Sequence, residues 1–182
     1  MKLSQKNILV GVSGGIAAYK AASLVRLLRK EEARVRVILT ESAQKFITPL
    51  TMATLSENEV GLDMFEQPPL ADIRHIHWAE WADLAVIAPA TANLLAKAAH
   101  GLADDLLTST LLSLQCPVAM APAMHHQMWN HPATQGNLAM VKELGYRLIE
   151  PGQGELASGD SGVGRMREPE EIVAALKRIE EI

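Results

Sequence analysis

The chain has 182 residues, of which 48% are hydrophobic and 21% are charged, and its formal net charge is −4. This length predicts a single domain over residues 1–182, and the composition excludes general disorder. The acidic balance argues against nucleic acid or an anionic membrane as a partner. Cys116 is the single cysteine, which excludes an intramolecular disulfide framework and is typical of a reducing compartment.

The N-terminal residues lead directly into an apolar segment and lack the pattern of a signal peptide. No apolar run approaches the roughly 20 residues that a membrane-spanning helix needs. The sequence therefore predicts a soluble cytoplasmic protein.

Five short apolar segments predict buried strands, and helical patterns lie between them. Because these segments are continuously apolar rather than alternating, we expect both faces of the sheet to be covered. The alternation of strands and helices predicts an α/β fold with one doubly wound parallel sheet in three layers, α/β/α. The predicted strands cover residues 8–12, 35–39, 84–88, 118–121 and 146–149, and the predicted helices cover 16–29, a segment through 98, 104–114, 134–144 and 170–182.

Two segments remain outside this pattern, residues 57–73 and the glycine-rich residues 151–167. Loops of this length in a compact domain are usually functional or mobile. The second segment suits a lid over a substrate, with Arg165 available for an anion, and an ordinary surface loop is the alternative.

Gly14 and Gly15 follow the first predicted strand and open a helix. Their surroundings lack the Lys-Ser/Thr end of a P-loop and the spacing of dinucleotide binders, so nucleotide hydrolysis and dinucleotide binding are disfavoured. Backbone N–H groups, the helix dipole and the Ser13 hydroxyl suit the phosphate of a mononucleotide, and Thr40 supplies a second hydroxyl. The alternative is that the two glycines only form a tight turn.

Small and polar residues follow the third predicted strand, at Thr91, Ala92 and Asn93. Small side chains allow a planar ring to lie against the backbone, while Thr91 and Asn93 can bond its heteroatoms. Thr91 also suits the cap of the next helix, and both roles are compatible. Together with the phosphate loop and the methionine-rich residues 122–129, this pattern predicts a flavin site.

Histidines cluster in two places, with His75 and His77 in one and His125, His126 and His131 in the other. In an extended segment His75 and His77 share a face, which raises a metal site as one interpretation. No carboxylate or cysteine stands at ligand spacing and no zinc motif is present, so we predict no metal. The other interpretation is an acid–base histidine, with His75 as the candidate.

Several separate stretches carry a family resemblance, in the same order along essentially the whole chain. They are GGIAAYK from Gly14, His75, PATAN from Pro89, PAMHHQMW from Pro122 and SGDSGVGRM from Ser158. With these stretches the chain resembles the flavin-containing cysteine decarboxylases, above all the phosphopantothenoylcysteine decarboxylase domain of coenzyme A biosynthesis.

The resemblance implies a flavodoxin-like fold, FMN bound between subunits, and homotrimers that can assemble into homododecamers. It also implies FMN-dependent decarboxylation of 4′-phosphopantothenoylcysteine to 4′-phosphopantetheine, with His75 assisting deprotonation of the cysteine. The site residues that it implies are catalytic His75 and Ser158, the cofactor-binding Ser13, Gly14, Gly15, Thr40, Phe46, Thr91, Ala92 and Asn93, and the substrate-binding His125, Met128, Arg165 and Met166.

The chain departs from the family pattern at two of these residues. His125 stands where the family has an asparagine that binds the substrate carboxylate, and histidine can also donate a hydrogen bond there. Ser158 stands where many members have a cysteine that is associated with protonation in the final reduction, and a hydroxyl is a far weaker acid than a thiol.

Two alternative functions remain open. One is an oxidative decarboxylase of a C-terminal peptidyl cysteine, a reaction that stops before the final reduction. The other is a non-catalytic, flavin-binding regulatory subunit, although such relatives usually carry long acidic extensions. The chain is expected to be either a free-standing enzyme or a domain of a fusion with the synthetase that makes the substrate.

Overall fold

A parallel sheet with helices on both faces forms the centre of the computed structural model, which describes residues 3–65 and 73–179. The strands are β1 (Asn7–Val12), β2 (Arg34–Leu39), β3 (Val60–Gly61), β4 (Leu84–Ala90), β5 (Val118–Pro122), β6 (Arg147–Leu148), β7 (Gly152–Glu155) and β8 (Ser161–Arg165). The helices are α1 (Ala18–Lys30), α2 (Pro49–Ser56), α3 (Arg74–Trp81), α4 (Ala92–Ala99), α5 (Leu106–Ser113), α6 (His126–Asn130), α7 (Pro132–Glu143) and α8 (Pro169–Ile179), with a short 3-10 helix at Ala43–Lys45.

The strand order of the sheet is β3-β2-β1-β4-β5-β6, and every neighbouring pair is parallel. Without the two-residue edge strand β3, this is the 2-1-3-4-5 order of flavodoxin-like folds. The winding reverses between β1 and β4, so a crevice opens beyond the carboxyl ends of these two strands. The predicted α/β fold with three layers is confirmed.

The core consists of two apolar layers, one on each face of the sheet. Along β1, Ile8, Val10 and Val12 face one layer and Leu9 faces the other, as expected from the two-residue repeat of a strand. The first layer packs β1 against α1, α2 and α8, and the second packs it against α3, α4, α5 and α7. Both faces of the central strands are therefore buried, which explains their continuously apolar sequence.

Most predicted elements lie within a few residues of the observed ones, and several short elements are additional. The unpredicted elements are β3, α2, α6 and the hairpin of β7 and β8. Residues 66–72 of the segment 57–73 and residues 180–182 of the last predicted helix lie outside the described residues. No helix in the described ranges is long and apolar enough to cross a membrane.

The extended conformation that would place His75 and His77 on one face is wrong, because both residues lie in helix α3. Residues two apart on a helix point in different directions, so the pair does not share a face. Tertiary packing stabilises the helix, since Trp78 is buried in the second core layer and the Arg36 guanidinium lies 5.3 Å from its ring centroid and 4.6 Å from that of Trp81. Neither contact is visible in the local sequence pattern.

The glycine-rich segment is more ordered than a loop, because β7 and β8 pair as an antiparallel hairpin. Met166 follows the hairpin and is buried in the first core layer at 2% exposure. The expectation of a loop over the whole segment is therefore wrong, while the residues between β7 and β8 are mostly exposed.

We expect the substitution Leu24→Ala to lower the free energy of unfolding by about 3 kcal/mol, because Leu24 is fully buried between α1 and the sheet. Leu27→Ala is the matched control on the same helix, and its half-buried side chain should cost only about 1 kcal/mol. Urea denaturation of both variants measures the difference. Equal losses would contradict the assigned burial of α1.

Candidate functional site

A cavity of about 1040 Å³ lies beyond the carboxyl ends of β1, β2, β4 and β5, and part of the β7–β8 hairpin covers it. This is the crevice expected at the switch point of a doubly wound sheet. All the predicted site residues except His75 and Phe46 line it, namely Ser13, Gly14, Gly15, Thr40, Thr91, Ala92, Asn93, His125, Met128, Ser158, Arg165 and Met166.

The loop after β1 passes very close to the loop after β2. A Cβ atom placed on Gly14 would overlap the Cβ of Ser42 and come within 2.7 Å of its carbonyl carbon. A Cβ on Gly15 would meet only the Thr91 methyl group, at 3.3 Å. Gly14 is therefore required by the close approach of two backbones.

Helices α1, α4, α5 and α6 begin at this cavity, and α1 is the one of these four without a side-chain cap. The N-terminus of α4 is capped by Thr91, and that of α5 is capped by Asp105 in a capping box. No side chain caps α1, whose N-cap residue is Ala17. The positive dipole end of α1 therefore suits an anion in the cavity.

Ser13 joins the ends of β1 and β4. Its hydroxyl donates to the carbonyl of Pro89 at 2.7 Å and accepts the N–H of Thr91 at 3.0 Å, and the residue is only 3% exposed. Thr91 also accepts the N–H of Leu94 as the cap of α4, so the capping role that the sequence suggests is present. The ligand-binding roles of both hydroxyls stay predictions.

Two cations at the cavity share one carboxylate. The ammonium of Lys20, a residue only 7% exposed, donates to Glu168 at 2.8 Å and to the carbonyl of Met166 at 3.2 Å. The guanidinium of Arg165 donates to the same Glu168 oxygen at 2.9 Å. The hydrogen bond and the charge of Lys20, followed by the hydrogen bond from Arg165, lower the pKa of Glu168. This group of three charges carries a net positive charge, which suits the predicted role of Arg165 towards an anion.

The two residues at which the chain departs from the family pattern meet at one carboxylate. His125 Nε2 lies 2.9 Å from Asp160 Oδ2, and the Ser158 hydroxyl donates to the same oxygen at 3.2 Å. The hydrogen bond from His125, followed by that from Ser158, lowers the pKa of Asp160. The sequence analysis did not identify Asp160 as a site residue, because it follows His125 by 35 residues. The available signal was its position two residues after Ser158 in the glycine-rich stretch.

His125, His126 and Asp160 place potential metal-ligand atoms within 4.8 Å of one another. The carboxylate that the sequence pattern lacks is therefore supplied by the tertiary structure. However, His125 Nδ1 accepts the N–H of Gln127, which assigns the imidazole proton to Nε2 and makes that atom a donor to Asp160. A neutral ring in this tautomer has no lone pair on Nε2 for a metal, and the absence of a metal stays our prediction.

His75 and Phe46 do not line the cavity within the described chain. His75 is half-buried on α3, which packs against α5. Phe46 follows the 3-10 helix and is 48% exposed. The described residues do not bring either side chain into the cavity lining, and the roles of His75 and Phe46 stay predictions.

The Flavoprotein family matches residues 1–179 of the chain. The chain belongs to the Flavoprotein family. It is 53% identical over 167 residues to the coenzyme A biosynthesis bifunctional protein CoaBC of Mycobacterium bovis, an alignment that covers 92% of this chain and 40% of that protein. The chain thus spans well under half the length of this relative.

Solved structures resemble this flavoprotein over almost its whole length. A mutant of PPC decarboxylase complexed with pantothenoylaminoethenethiol is 36% identical, with a TM-score of 0.87 and coverage of 98% of this chain and 100% of that chain. The FMN-dependent cysteine decarboxylase SpaF is 33% identical, with a TM-score of 0.83 and coverage of 98% and 99%. Both confirm the resemblance stated from the sequence motifs.

In this flavoprotein we expect Gly14→Ala to lower the free energy of unfolding by about 2 kcal/mol, because its new Cβ overlaps the backbone and side chain of Ser42. Gly15→Ala is the matched control, since it meets only a methyl group that can shift slightly, and it should cost under about 1 kcal/mol. Thermal and urea denaturation compare the two variants. A Gly14→Ala variant as stable as Gly15→Ala would refute the close approach of the two loops.

Proposed function

We propose that this chain decarboxylates 4′-phosphopantothenoylcysteine to 4′-phosphopantetheine in coenzyme A biosynthesis, with FMN as its cofactor. The similarity to CoaBC and to a PPC decarboxylase over nearly the whole chain supports this assignment. The observation that carries it is the cavity at the switch point, in which an uncapped helix N-terminus, a small-residue loop and the 122–129 motif come together.

The residues present fit an FMN molecule. The N-terminus of α1 with Ser13, Gly14 and Gly15 would hold its phosphate, and the loop of Thr91, Ala92 and Asn93 would lie against its ring system. Thr40 lines the same cavity. When bound, FMN supplies the reversible two-electron oxidation that makes the substrate cysteine able to lose CO₂.

The chain's own residues bind and orient the substrate and move protons. His125 Nε2–H donates to the substrate carboxylate, and the exposed Met128 offers apolar surface beside it, while the buried Met166 supports the cavity wall from the core. Arg165 and Lys20 attract the substrate phosphate, while Tyr19 lines the same cavity. His75 accepts the proton that leaves the substrate sulfur, and Ser158 takes part in proton delivery in the final reduction.

We also propose that the active unit is a homo-oligomer, a trimer or a dodecamer, of 1–182 domains in the cytoplasm. Among the described residues, His75 and Phe46 do not line the cavity of their own chain, and in an oligomer a second copy would bring them to a ligand. Three large apolar side chains that line the cavity are exposed, at Ile16, Tyr19 and Met128. Phe46 and Leu50, which follow the cavity-lining Ser42 in the sequence, are exposed as well. Such side chains are typical of a surface that a partner subunit covers.

One specific feature favours the peptidyl-cysteine decarboxylase as a second candidate. Ser158 lacks the acidic thiol that the full cycle uses in many relatives, and a chain that stops at the unsaturated product needs no such donor. The similarity to SpaF is compatible with this function. No feature of the described residues favours the regulatory subunit.

The deciding experiment is anaerobic incubation of the FMN-loaded protein with 4′-phosphopantothenoylcysteine, followed by mass spectrometry and flavin absorbance. We expect 4′-phosphopantetheine to be released with the flavin absorbance restored. A product lighter by two hydrogens with bleached flavin would favour the oxidative decarboxylase. A colourless protein that cannot be reconstituted with FMN would refute both decarboxylase activities and the flavin-binding regulatory role.

We expect His75→Asn to bind FMN as the wild type does and to lose turnover by at least about 100-fold, because asparagine cannot take up the substrate proton. His77→Asn is the matched control on the same helix and should retain turnover within about twofold. Flavin absorbance measures cofactor content, and product formation measures turnover. Full activity of His75→Asn would remove His75 from the mechanism.

A further inference from the structure

The tip of the β7–β8 hairpin places the carboxylate of Asp160 against His125, which lines the cavity. Leu156 N–H donates to the carbonyl of Asp160 at 2.7 Å, and Gly159 N–H donates to the carbonyl of Leu156 at 2.9 Å. Gly159 adopts a φ of +88°, which favours glycine in this turn. The turn thus directs Asp160 towards His125 at the start of α6, although Asp160 itself is exposed.

Strand β8 is anchored more firmly than the tip of the hairpin. The carbonyl of Gly164 accepts the N–H of Met124 at 3.0 Å, and a Cβ on Gly162 would come within 2.7 Å of the His126 Cβ. Between these contacts and β7, residues 157–160 are all exposed, and the side chain of Asp160 joins the tip to His125. Asp160 can therefore change its hydrogen-bond partner without unpacking β8.

The N–H group that donates to Asp160 is the one that the proposed function assigns to the substrate carboxylate. Gln127 N–H holds His125 in the tautomer with its proton on Nε2, so this ring presents one N–H, and that N–H donates to Asp160 at 2.9 Å. One N–H cannot form a strong hydrogen bond to two carboxylates, and two carboxylates at this distance also repel each other. The carboxylate of Asp160 and that of the substrate therefore exclude one another at His125.

We propose that Asp160 is a specificity-determining residue that competes with the substrate carboxylate for His125 Nε2–H, an inference that rests on the proposed function. Substrate binding displaces Asp160, and loss of CO₂ frees the N–H for Asp160 to return. Asp160 thus weakens the binding of carboxylate-bearing ligands relative to ligands without the carboxylate.

The same exchange affects Ser158, because its hydroxyl donates to the oxygen of Asp160 that accepts from His125. When Asp160 moves away from His125, the oxygen that accepts the hydrogen bond from the Ser158 hydroxyl moves as well. The presence of the substrate carboxylate is in this way linked to the orientation of Ser158. Both departures from the family pattern therefore act through one side chain.

A matched pair of unreactive ligands tests this competition. In 4′-phosphopantothenoylserine a hydroxyl replaces the substrate thiol, and 4′-phosphopantothenoylethanolamine is the same molecule without the carboxylate. Titration calorimetry on the FMN-loaded protein measures both dissociation constants for the wild type and for Asp160→Asn, which keeps the shape of the side chain and removes its charge. Circular dichroism checks that the variant is folded.

We expect Asp160→Asn to tighten binding of the serine compound by about fivefold while binding of the ethanolamine compound changes by less than about twofold. Glu155→Gln is the control, because Glu155 is a carboxylate of the same hairpin and itself lines the cavity. Glu155→Gln removes an equal charge. The change that it causes in the ratio of the two dissociation constants should be at most about a third of the change caused by Asp160→Asn. Asp160→Ala provides a second variant and should shift the ratio in the same direction as Asp160→Asn.

Three results would overturn the inference. Equal changes for both ligands would make Asp160 a structural residue, and weaker binding of the serine compound would make it a residue that only positions His125. In either case the wild type binds both ligands, so the proposed function survives. A wild type that binds neither ligand would instead overturn the proposed function, and the inference with it.

Discussion

The structure depends on one close approach, the contact between the carboxyl ends of β1 and β4 at the point where the winding of the sheet reverses. Ser13 makes this contact by donating to Pro89 and accepting from Thr91. Because β1 feeds a helix on one face and β4 feeds helices on the other, their loops diverge beyond this point and leave a crevice between them. The cavity is thus a consequence of topology, and the side chains around it determine what it binds.

Several charged side chains at the cavity have hydrogen-bond partners within the chain itself. Lys20 and Arg165 share Glu168, and His125 donates to Asp160. Ion pairing keeps buried or half-buried charges from being left without a partner, which costs far more than an exposed ion pair gains. A ligand that brings its own phosphate and carboxylate therefore exchanges partners with these groups. The net gain in binding free energy at each group is smaller than the number of new contacts suggests. Selectivity between ligands then depends on which exchange of partners is favourable.

The two departures from the family pattern illustrate why single substitutions are difficult to interpret in isolation. Considered alone, His125 replaces an asparagine as a hydrogen-bond donor. Ser158 considered alone replaces a cysteine with a much weaker acid. In the structure both bind the same oxygen of Asp160, so a change at one alters the hydrogen bonding of the other. The similarity to PPC decarboxylase shows the family framework, while this local network is read from the side chains of this chain.

The sequence by itself determined the fold class and the loops that meet at the cavity. Continuous apolar strands require a sheet covered on both faces, and glycines next to a helix start indicate a close backbone approach, so these features follow from local chemistry. The tertiary structure decided the rest. Residues 74–81 form helix α3 and not the expected extended segment, because Trp78 packs into a core built by distant residues and Arg36 lies over its ring. Asp160 contacts His125 because a hairpin folds back over α6. Neither outcome has a local signal, since the partners are tens of residues apart and only packing brings them together.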